Sequence, residues 1–275
     1  RPIVTNDPLM IRVLEVAEAV ARSEATVLIQ GESGTGKELI ARFVHASSPR
    51  SQQAFVAVNC AALPASLLES ELFGHEKGAF TGAQTRKIGK FELAHGGTIL
   101  LDEISEMNTE TQMKLLEFLE SGQVENAVTG EKKKVDVRII AATCKDLARE
   151  AREGTFREDL LYKLSVAPIH LPALRERKED LPEIVDFFLR RLNRKLNKSV
   201  ERIDPSCMDI FRSVSWPGNL RQLEHVLERM LLLADGATLH AADIPADLRS
   251  EIDLSAGVEG ASSFREIVRR QTQSV

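Results

Sequence analysis

The chain has 275 residues, of which 43% are hydrophobic and 28% charged, with a formal net charge of −5. This composition supports a substantial core in one large or two smaller domains, and the acidic balance argues against a surface that coats nucleic acid nonspecifically. No apolar run is long enough to span a bilayer and no signal peptide opens the chain, so we expect a cytoplasmic protein without membrane contact. An initial Arg rather than Met suggests a fragment of a longer protein.

The first informative segment is a glycine-rich loop between a predicted strand, Thr26–Gln30, and a predicted helix, Leu39–Val44. The loop has the spacing of a phosphate-binding loop and consists of Gly31, Glu32, Ser33, Gly34, Thr35, Gly36 and Lys37. Backbone N–H groups of such a loop and the following helix N-terminus bind a polyanion, and the lysine reaches the terminal phosphates. The segment predicts nucleotide binding; a glycine-rich turn with an exposed lysine is the alternative.

An acidic pair follows the predicted strand Thr98–Leu101. Most phosphate-binding loops place a Ser or Thr hydroxyl on Mg²⁺ at the position of Glu38, so we expect the metal to be held elsewhere. Because open α/β sheets present ligands at strand ends, Asp102 is suited to Mg²⁺ and Glu103 to deprotonating the water that attacks the γ-phosphate. An apolar run ending in Asp-Glu can also simply cap a helix, but beside a phosphate-binding loop it favours hydrolysis.

Two other predicted strands end in polar residues. Asn59 ends the strand Phe55–Asn59, where its amide could hydrogen-bond Glu103 or satisfy a turn. The strand Val137–Ala142 delivers Thr143 to the same sheet edge, where its hydroxyl could sense the γ-phosphate or only bond backbone. Both alternatives remain open from the sequence.

Two cations, Arg157 and Lys163, fall on a predicted helix before the strand Ala167–Leu171. In an isolated subunit they would be solvated charges or ion-pair partners of Glu158 and Asp159. In a ring, Arg157 could reach a neighbour's γ-phosphate, where a planar guanidinium stabilises the spreading charge.

One segment carries a single aromatic residue among small ones and comprises Gly78, Ala79, Phe80, Thr81, Gly82 and Ala83. It is compatible with an exposed loop that contacts a protein partner through Phe80 and Thr81. A buried aromatic side chain in a tight turn is the alternative.

The alternation of strands with helices such as Gln112–Leu119 predicts an α/β core with a mainly parallel sheet. The character changes near Pro172–Arg177, and no convincing strand separates the helices predicted beyond it, at Leu181–Leu196, Ser206–Val214 and Leu220–Leu233. We therefore predict a nucleotide-binding subdomain over 1–172, a helical subdomain over 173–249, and a linker with the start of another helix over 250–275. The three cysteines, Cys60, Cys144 and Cys207, have no metal-ligand spacing, and we expect each to be buried.

Taken together, six motifs resemble one family. They are GESGTGKE at Gly31–Glu38, ESELFGHEKGAFTGA at Glu69–Ala83, GGTILLDE at Gly96–Glu103, GTFREDLLYKL at Gly154–Leu164, LRER at Leu174–Arg177 and WPGNLRQLEH at Trp216–His225. The chain resembles the central AAA+ ATPase domain of sigma-54-dependent transcriptional activators, the bacterial enhancer-binding proteins of the NtrC type. The resemblance covers nearly the whole chain up to about Leu248, and GAFTGA is highly specific to this family.

The resemblance implies an α/β P-loop AAA+ core, its parallel sheet flanked by helices, followed by a smaller all-helical lid, and an active ring that is a hexamer or heptamer. Glu at position 38 is typical of the family. The implied roles are phosphate binding by Lys37, Mg²⁺ binding by Asp102, water activation by Glu103, a glutamate switch at Asn59, sensor I at Thr143, sensor II at Arg221, and trans-acting cations at Arg157 and Lys163. Relatives often carry Asn or His where Cys144 follows sensor I, and many carry Arg where this chain has Lys163.

The implied cofactors are ATP and Mg²⁺, and the implied partner is the sigma-54 RNA polymerase holoenzyme, engaged in its closed complex by Phe80 and Thr81. Enhancer DNA would be bound by a C-terminal domain absent from this chain, and an N-terminal regulatory domain is also typical. Two rival functions are a nucleotide sensor that does not hydrolyse ATP and an AAA+ machine that remodels another protein or DNA client. Glu103 argues against the first, and the GAFTGA segment argues against the second.

Overall fold

The structure, a computed structural model, describes residues 3–75, 88–125, 132–234, 236–245 and 248. The predicted partner-binding segment at 78–83 and the predicted linker at 250–275 lie outside these residues. Within the described ranges, no helix combines the length and apolar composition needed to cross a membrane. The chain divides into two compact units, an α/β unit of Arg12–Glu32 and Gly36–Leu171, and a helical unit of Arg1–Ile11, Ser33–Thr35 and Pro172–Val275.

The α/β unit is built on a parallel sheet of five strands. The strands described up to Leu171 are β1 (Val27–Gln30), β2 (Phe55–Asn59), β3 (Thr98–Asp102), β4 (Gln123–Glu125), β5 (Lys132–Lys134), β6 (Arg138–Thr143) and β7 (Ala167–His170). The sheet has the order β2-β3-β6-β1-β7, while β4 and β5 form a separate antiparallel pair. The predicted strands of the sheet are confirmed to within one or two residues.

Helices connect these strands. Those described up to Leu171 are α1 (Pro8–Ala21), α2 (Lys37–Ala46), α3 (Ala65–Phe73), α4 (Lys90–Leu93), α5 (Thr109–Ser121), α6 (Leu147–Arg152) and α7 (Glu158–Leu164). The first residues of α1, up to Ile11, belong to the helical unit. Because a crossover between parallel strands must pass over the sheet face, the helices cover the strands, and β6 is buried along its whole length.

The strand register places the polar candidates at one edge of the sheet. Asn59 pairs with Asp102 across β2 and β3, and Gln30 pairs with Thr143 across β1 and β6. All four residues stand at the carboxyl ends of parallel strands, the edge at which such sheets bind ligands. The loop after β1 and the acidic pair at the end of β3 therefore lie at this edge.

Three helices dominate the helical unit, at α8 (Leu181–Leu196), α9 (Pro205–Ser213) and α10 (Asn219–Leu233), close to the predicted bounds. Their core surrounds Trp216, whose indole N–H donates to the Phe211 carbonyl at 2.8 Å. The expectation of an all-helical lid was wrong in one detail, because β8 (Arg202–Ile203) pairs in parallel with β9 (Thr238–Leu239). Strands of two residues are too short to leave a periodic pattern in the sequence.

A buried carboxylate ties the N-terminal segment into the helical unit. Asp180 is fully buried and accepts hydrogen bonds from Thr5 Oγ1 at 2.7 Å and from the backbone N–H groups of Asn6 and Asp7 at 2.7 and 3.0 Å. Arg177 donates to the same carboxylate from Nε at 2.9 Å and also bonds the Val4 carbonyl. These contacts explain why Arg1–Ile11 groups with the helical unit instead of following the single boundary predicted near Pro172–Arg177.

Candidate nucleotide and hydrolysis site

The glycine-rich loop after β1 contains two glycines with positive φ angles. Gly34 and Gly36 have φ angles of 79° and 103°, which residues with a Cβ rarely adopt. A Cβ at Gly34 would also lie 2.2 Å from the Gly218 carbonyl oxygen, within the helical unit. Lys37 is the first residue of α2. Its Nζ donates hydrogen bonds to the carbonyl oxygens of Gly31 at 3.0 Å and Glu32 at 3.3 Å, so the lysine side chain folds back onto the start of the loop.

The residues present fit a bound triphosphate. The loop leads directly into the N-terminus of the ten-residue helix α2, where free N–H groups and the helix dipole favour an anion. Thr35 is buried in the loop, whereas Ser33 is exposed. Glu38 is turned along the helix, where it accepts hydrogen bonds from Arg42 at 2.7 and 2.9 Å.

Glu103 makes two polar contacts at the carboxyl edge of the sheet. One of its carboxylate oxygens lies 3.3 Å from Lys37 Nζ, and the other accepts a 3.0 Å hydrogen bond from the backbone N–H of Cys144. Its φ and ψ angles, 52° and 51°, are left-handed, which is uncommon for a residue other than Gly. Burial raises the pKa of Glu103, but the Cys144 hydrogen bonds and the Lys37 charge outweigh burial and lower it below the usual value.

Asp102 differs from its neighbour in electrostatic setting. Burial and the adjacent Glu103 charge raise the pKa of Asp102, and Lys37 only partly offsets them. Among the described residues, no three His, Cys, Asp or Glu side chains gather as a metal cage. The Asp102 carboxylate fits Mg²⁺, which is commonly held by one or two carboxylates with substrate phosphates and water. A bound cation would also relieve the repulsion between the two neighbouring acids.

The sequence allowed two interpretations for each of the polar strand ends Asn59 and Thr143. At both residues the structure differs from one of the two. Asn59 is exposed and its Oδ1 accepts from Ala61 N at 2.9 Å, so its amide satisfies a turn; no Asn59–Glu103 hydrogen bond is among the described contacts. Glu103 instead uses Lys37 and Cys144. Thr143 is fully buried, and its hydroxyl donates to Ser105 Oγ at 3.2 Å.

Cys144 corrects a second expectation, because it is exposed while Cys60 and Cys207 are buried. The reason is local, since β6 ends at Thr143 and the next residue leaves the sheet. Burial raises the pKa of the Cys60 and Cys207 thiols to about 12. These two cysteines behave as the buried apolar residues that the sequence predicted.

The two predicted trans-acting cations lie at opposite ends of α7. Arg157 occupies the N-cap position just before the helix instead of lying within it, and its guanidinium pairs with Asp159 at 2.7 Å. Lys163 is exposed in the last turn. Gln112, which the sequence analysis missed as a site residue, is fully buried and fixes this region: it donates to the Met107 and Thr155 carbonyls and accepts from Arg157 N at 2.9 Å.

Arg221 lies in the first turn of α10, in the helical unit. Its Nη1 donates to Ser33 Oγ at 3.2 Å, while Asn219 Nδ2 donates to the Ser33 carbonyl at 3.0 Å. Leu220 N donates to the Gly34 carbonyl at 3.0 Å. Ser33, Gly218 and Arg221 line a cavity of about 610 Å³ whose other walls include His225 and Arg229.

Comparison with known proteins decides the family. A sequence model described as the sigma-54 interaction domain matches residues 3–170. The chain belongs to the sigma-54 interaction domain family. A second model, described as the AAA+ ATPase lid domain, matches residues 175–257. The family resemblance and the fold class predicted from the sequence are therefore confirmed.

Three relatives show how much of this chain, and how much of each relative, the similarity covers. The chain is 46% identical to the regulatory protein AtoC of Escherichia coli over 272 residues, 98% of this chain and 59% of AtoC. It is 49% identical to the Nif-specific regulatory protein of Klebsiella pneumoniae, covering 86% of this chain and 45% of that protein. A crystal structure of NtrX from Brucella abortus in complex with ATP superposes with a TM-score of 0.84 at 39% identity, over 90% of this chain and 55% of NtrX. The chain thus spans about half the length of these relatives.

Proposed function

We propose that this chain is a ring-forming, ATP-hydrolysing AAA+ domain that remodels the sigma-54 RNA polymerase closed complex in the cytoplasm and thereby activates transcription. The observation that carries the proposal is the contact of Glu103 with both Lys37 and the Cys144 N–H. It brings a candidate general base to the phosphate-binding loop of a chain in the sigma-54 interaction domain family. Structures of NtrX with ATP and with ADP support nucleotide binding at this fold.

The proposed reaction is in-line attack of water on the γ-phosphorus of ATP. Loop N–H groups and Lys37 hold the phosphates, and Glu103 takes a proton from the attacking water as the bond from the γ-phosphorus to the β–γ bridging oxygen breaks, giving ADP and phosphate. The Cys144 hydrogen bonds and the Lys37 charge lower the pKa of Glu103, which favours the carboxylate form that can accept a proton. Mg²⁺, held by Asp102 with the phosphates, would neutralise charge on the departing oxygens.

Other residues take their proposed roles from the family. Arg157 would leave Asp159 and stabilise the γ-phosphate of a neighbouring subunit, with Lys163 as a second cation that lacks bidentate geometry. Asn59 would act as a switch on Glu103 in another nucleotide state, and Arg221 would report the nucleotide to the lid. The exposure of Lys163 and the partial exposure of Arg157 support roles at a surface where another subunit could bind.

The contact with sigma-54 is assigned to Gly78–Ala83, with Phe80 and Thr81 as the contacting side chains. Support comes from the sequence of this segment and from family membership. A different protein or DNA client is the alternative function, and the GAFTGA sequence favours sigma-54. Enhancer DNA binding is assigned to a part of the protein outside this chain.

Changing Thr81 to Ala is expected to abolish open-complex formation at a sigma-54 promoter while ATP hydrolysis stays within about threefold of wild type, because Thr81 is assigned to the contact with sigma-54 and not to the nucleotide site. Phosphate release and promoter opening are measured in the same reaction with sigma-54 holoenzyme. Thr85→Ala, the same chemical change four residues along, is the matched control and should still open the promoter. Promoter opening by Thr81→Ala at the wild-type rate would refute the loop assignment.

A further inference from the structure

Two segments at the carboxyl edge of the sheet are joined side by side. One follows β3 and contains Glu103 and Ser105; the other ends β6 and contains Thr143 and Cys144. The backbone pairing between β3 and β6 reaches only Leu101 and Ala141. Beyond that pair, hydrogen bonds that involve side chains join the segment after β3 to the segment at the end of β6.

Two buried hydroxyl groups form the inner part of this connection. Thr143 Oγ1 donates to Ser105 Oγ at 3.2 Å and accepts from the backbone N–H of Lys145 at 3.0 Å. Thr143 is fully buried, and 9% of Ser105 is exposed. The Thr143 hydroxyl therefore closes a short turn from 143 to 145 and fixes that turn to the 3₁₀ segment Ile104–Glu106.

The residue inside this turn is the one that contacts the acid. Cys144 lies between Thr143 and Lys145, and its backbone N–H donates to Glu103 Oε2 at 3.0 Å. The direction of that N–H depends on the turn that the Thr143 hydroxyl closes. The opposite oxygen of Glu103 lies 3.3 Å from Lys37, so the carboxylate is fixed at both ends.

We propose that Ser105 and Thr143 are positioning residues that aim the Cys144 N–H at Glu103 and so hold this carboxylate in place for water activation. The proposal rests on the proposed function of Glu103 as the base. Thr143 then acts through Glu103 and not by touching the γ-phosphate, because its hydroxyl is buried and already has two partners. A base displaced by about 1 Å can lose about 10²-fold in rate, so the positions of these hydroxyls bear on turnover and not on ATP affinity.

The cysteine content allows a direct test that needs no hydrolysis. Cysteine-selective ¹⁵N labelling gives three amide signals, one for each cysteine. The Cys144 signal is identified as the one that disappears in Cys144→Ala. Cys60 N donates to the Asp102 carbonyl and Cys207 N to the Asp204 carbonyl, so these two signals report that the α/β and helical units remain folded.

Thr143→Val and Ser105→Ala are each expected to shift the Cys144 amide toward a water-bonded position and to speed its hydrogen exchange, with the Cys60 and Cys207 signals in place. Both variants should lower kcat about tenfold or more, with KM for ATP within about twofold of wild type. Thr143→Ser keeps the hydroxyl and should restore the signal and kcat. Because the two residues act as one unit, the double variant should lose no more than the worse single variant.

An exposed ion pair between the same two segments provides the control. Lys145 Nζ lies 2.9 Å from Glu106 Oε1, with both side chains about 40% exposed. Glu106→Gln removes this bridge and should leave kcat within about twofold, since exposed pairs contribute little. A fall in kcat equal to that of Ser105→Ala would mean that any loosening of these segments suffices, and the proposal would fail.

Three further results would also overturn the proposal. One is a Cys144 amide that stays in place in both single variants. Another is an amide that moves without a fall in kcat. The third is a Thr143→Val variant with raised KM and unchanged kcat beside a silent Ser105→Ala, which would indicate direct phosphate contact by Thr143. Failure of the proposed function is separate, because it would appear as absent hydrolysis by the wild-type chain whatever the amide signals show.

Discussion

Replacing Glu103 with Gln is expected to slow ATP hydrolysis by about 10²- to 10⁴-fold, the usual contribution of a general base, and to leave ATP binding within a few-fold of wild type. Gln retains an oxygen that can accept from the Cys144 N–H, so the side chain stays in place, but its amide cannot take a proton from water. The phosphate-binding loop and Lys37 are untouched, so the nucleotide still binds. Phosphate release and titration with a fluorescent ATP analogue measure the two effects separately.

The matched control for this prediction is Glu106→Gln, three residues along, where the same change falls on a partly exposed side chain. It should hydrolyse ATP at nearly the wild-type rate. If Glu103→Gln also retained wild-type turnover, Glu103 would not be the base and the proposed reaction would be wrong. If Glu103→Gln lost ATP binding, its main role would be to hold Lys37.

Asp180→Ala is expected to lower the free energy of unfolding of the helical unit by about 3–5 kcal/mol, the usual cost of removing one partner from a buried ion pair. The change leaves the Arg177 guanidinium, 4% exposed, without its carboxylate. It also removes the acceptor for Thr5 Oγ1 and for the N–H groups of Asn6 and Asp7. Trp216, the single tryptophan, lies in the helical core, so its fluorescence in a urea titration follows this unit.

A control and a rescue accompany the stability prediction. Asp186→Ala removes an exposed acid that pairs with Arg190 on α8, and it should cost no more than about 0.5 kcal/mol. Replacing the pair together, as Arg177→Met with Asp180→Leu, should recover part of the loss because no charge is left buried and unpaired. Recovery stays partial, since the Thr5 hydroxyl and the Asn6 N–H still lack the acceptor that Asp180 provided. Coincident unfolding curves for Asp180→Ala and Asp186→Ala would contradict the assigned role of Asp180.

The sequence predicted those parts of the fold and site that depend on local pattern. The apolar run of β3, the periodicity of α8 and the spacing of the phosphate-binding loop each lie within a few consecutive residues. The apolar run of β3 followed by two acids also predicted that Glu103 would lie at the carboxyl edge of the sheet. Parallel strands bring such ends together once the sheet forms.

Most of the missed contacts join partners far apart in the chain. Ser105 meets Thr143 across 38 positions, Gln112 meets Arg157 across 45, and Thr5 meets Asp180 across 175. A polar residue carries no local signal of which distant group it will bond, so these contacts had no pattern to reveal them. Asn59 shows the same limit, because the sequence allowed both a turn contact and a Glu103 contact and the described structure has the turn contact.

The proposed function couples ATP hydrolysis to remodelling of the sigma-54 polymerase, so we expect engagement of sigma-54 to depend on the bound nucleotide, and one binding measurement tests this most directly. The chain is mixed with sigma-54 under three conditions: without nucleotide, with ADP, and with ADP and aluminium fluoride, which mimics the γ-phosphate in transfer. Complex formation is followed by gel filtration, with Thr81→Ala as the loop control. We predict a stable complex of the wild-type chain with sigma-54 only under aluminium fluoride, and none with Thr81→Ala. A wild-type chain that hydrolyses ATP yet binds sigma-54 under none of these conditions, or equally under all three, would contradict the account.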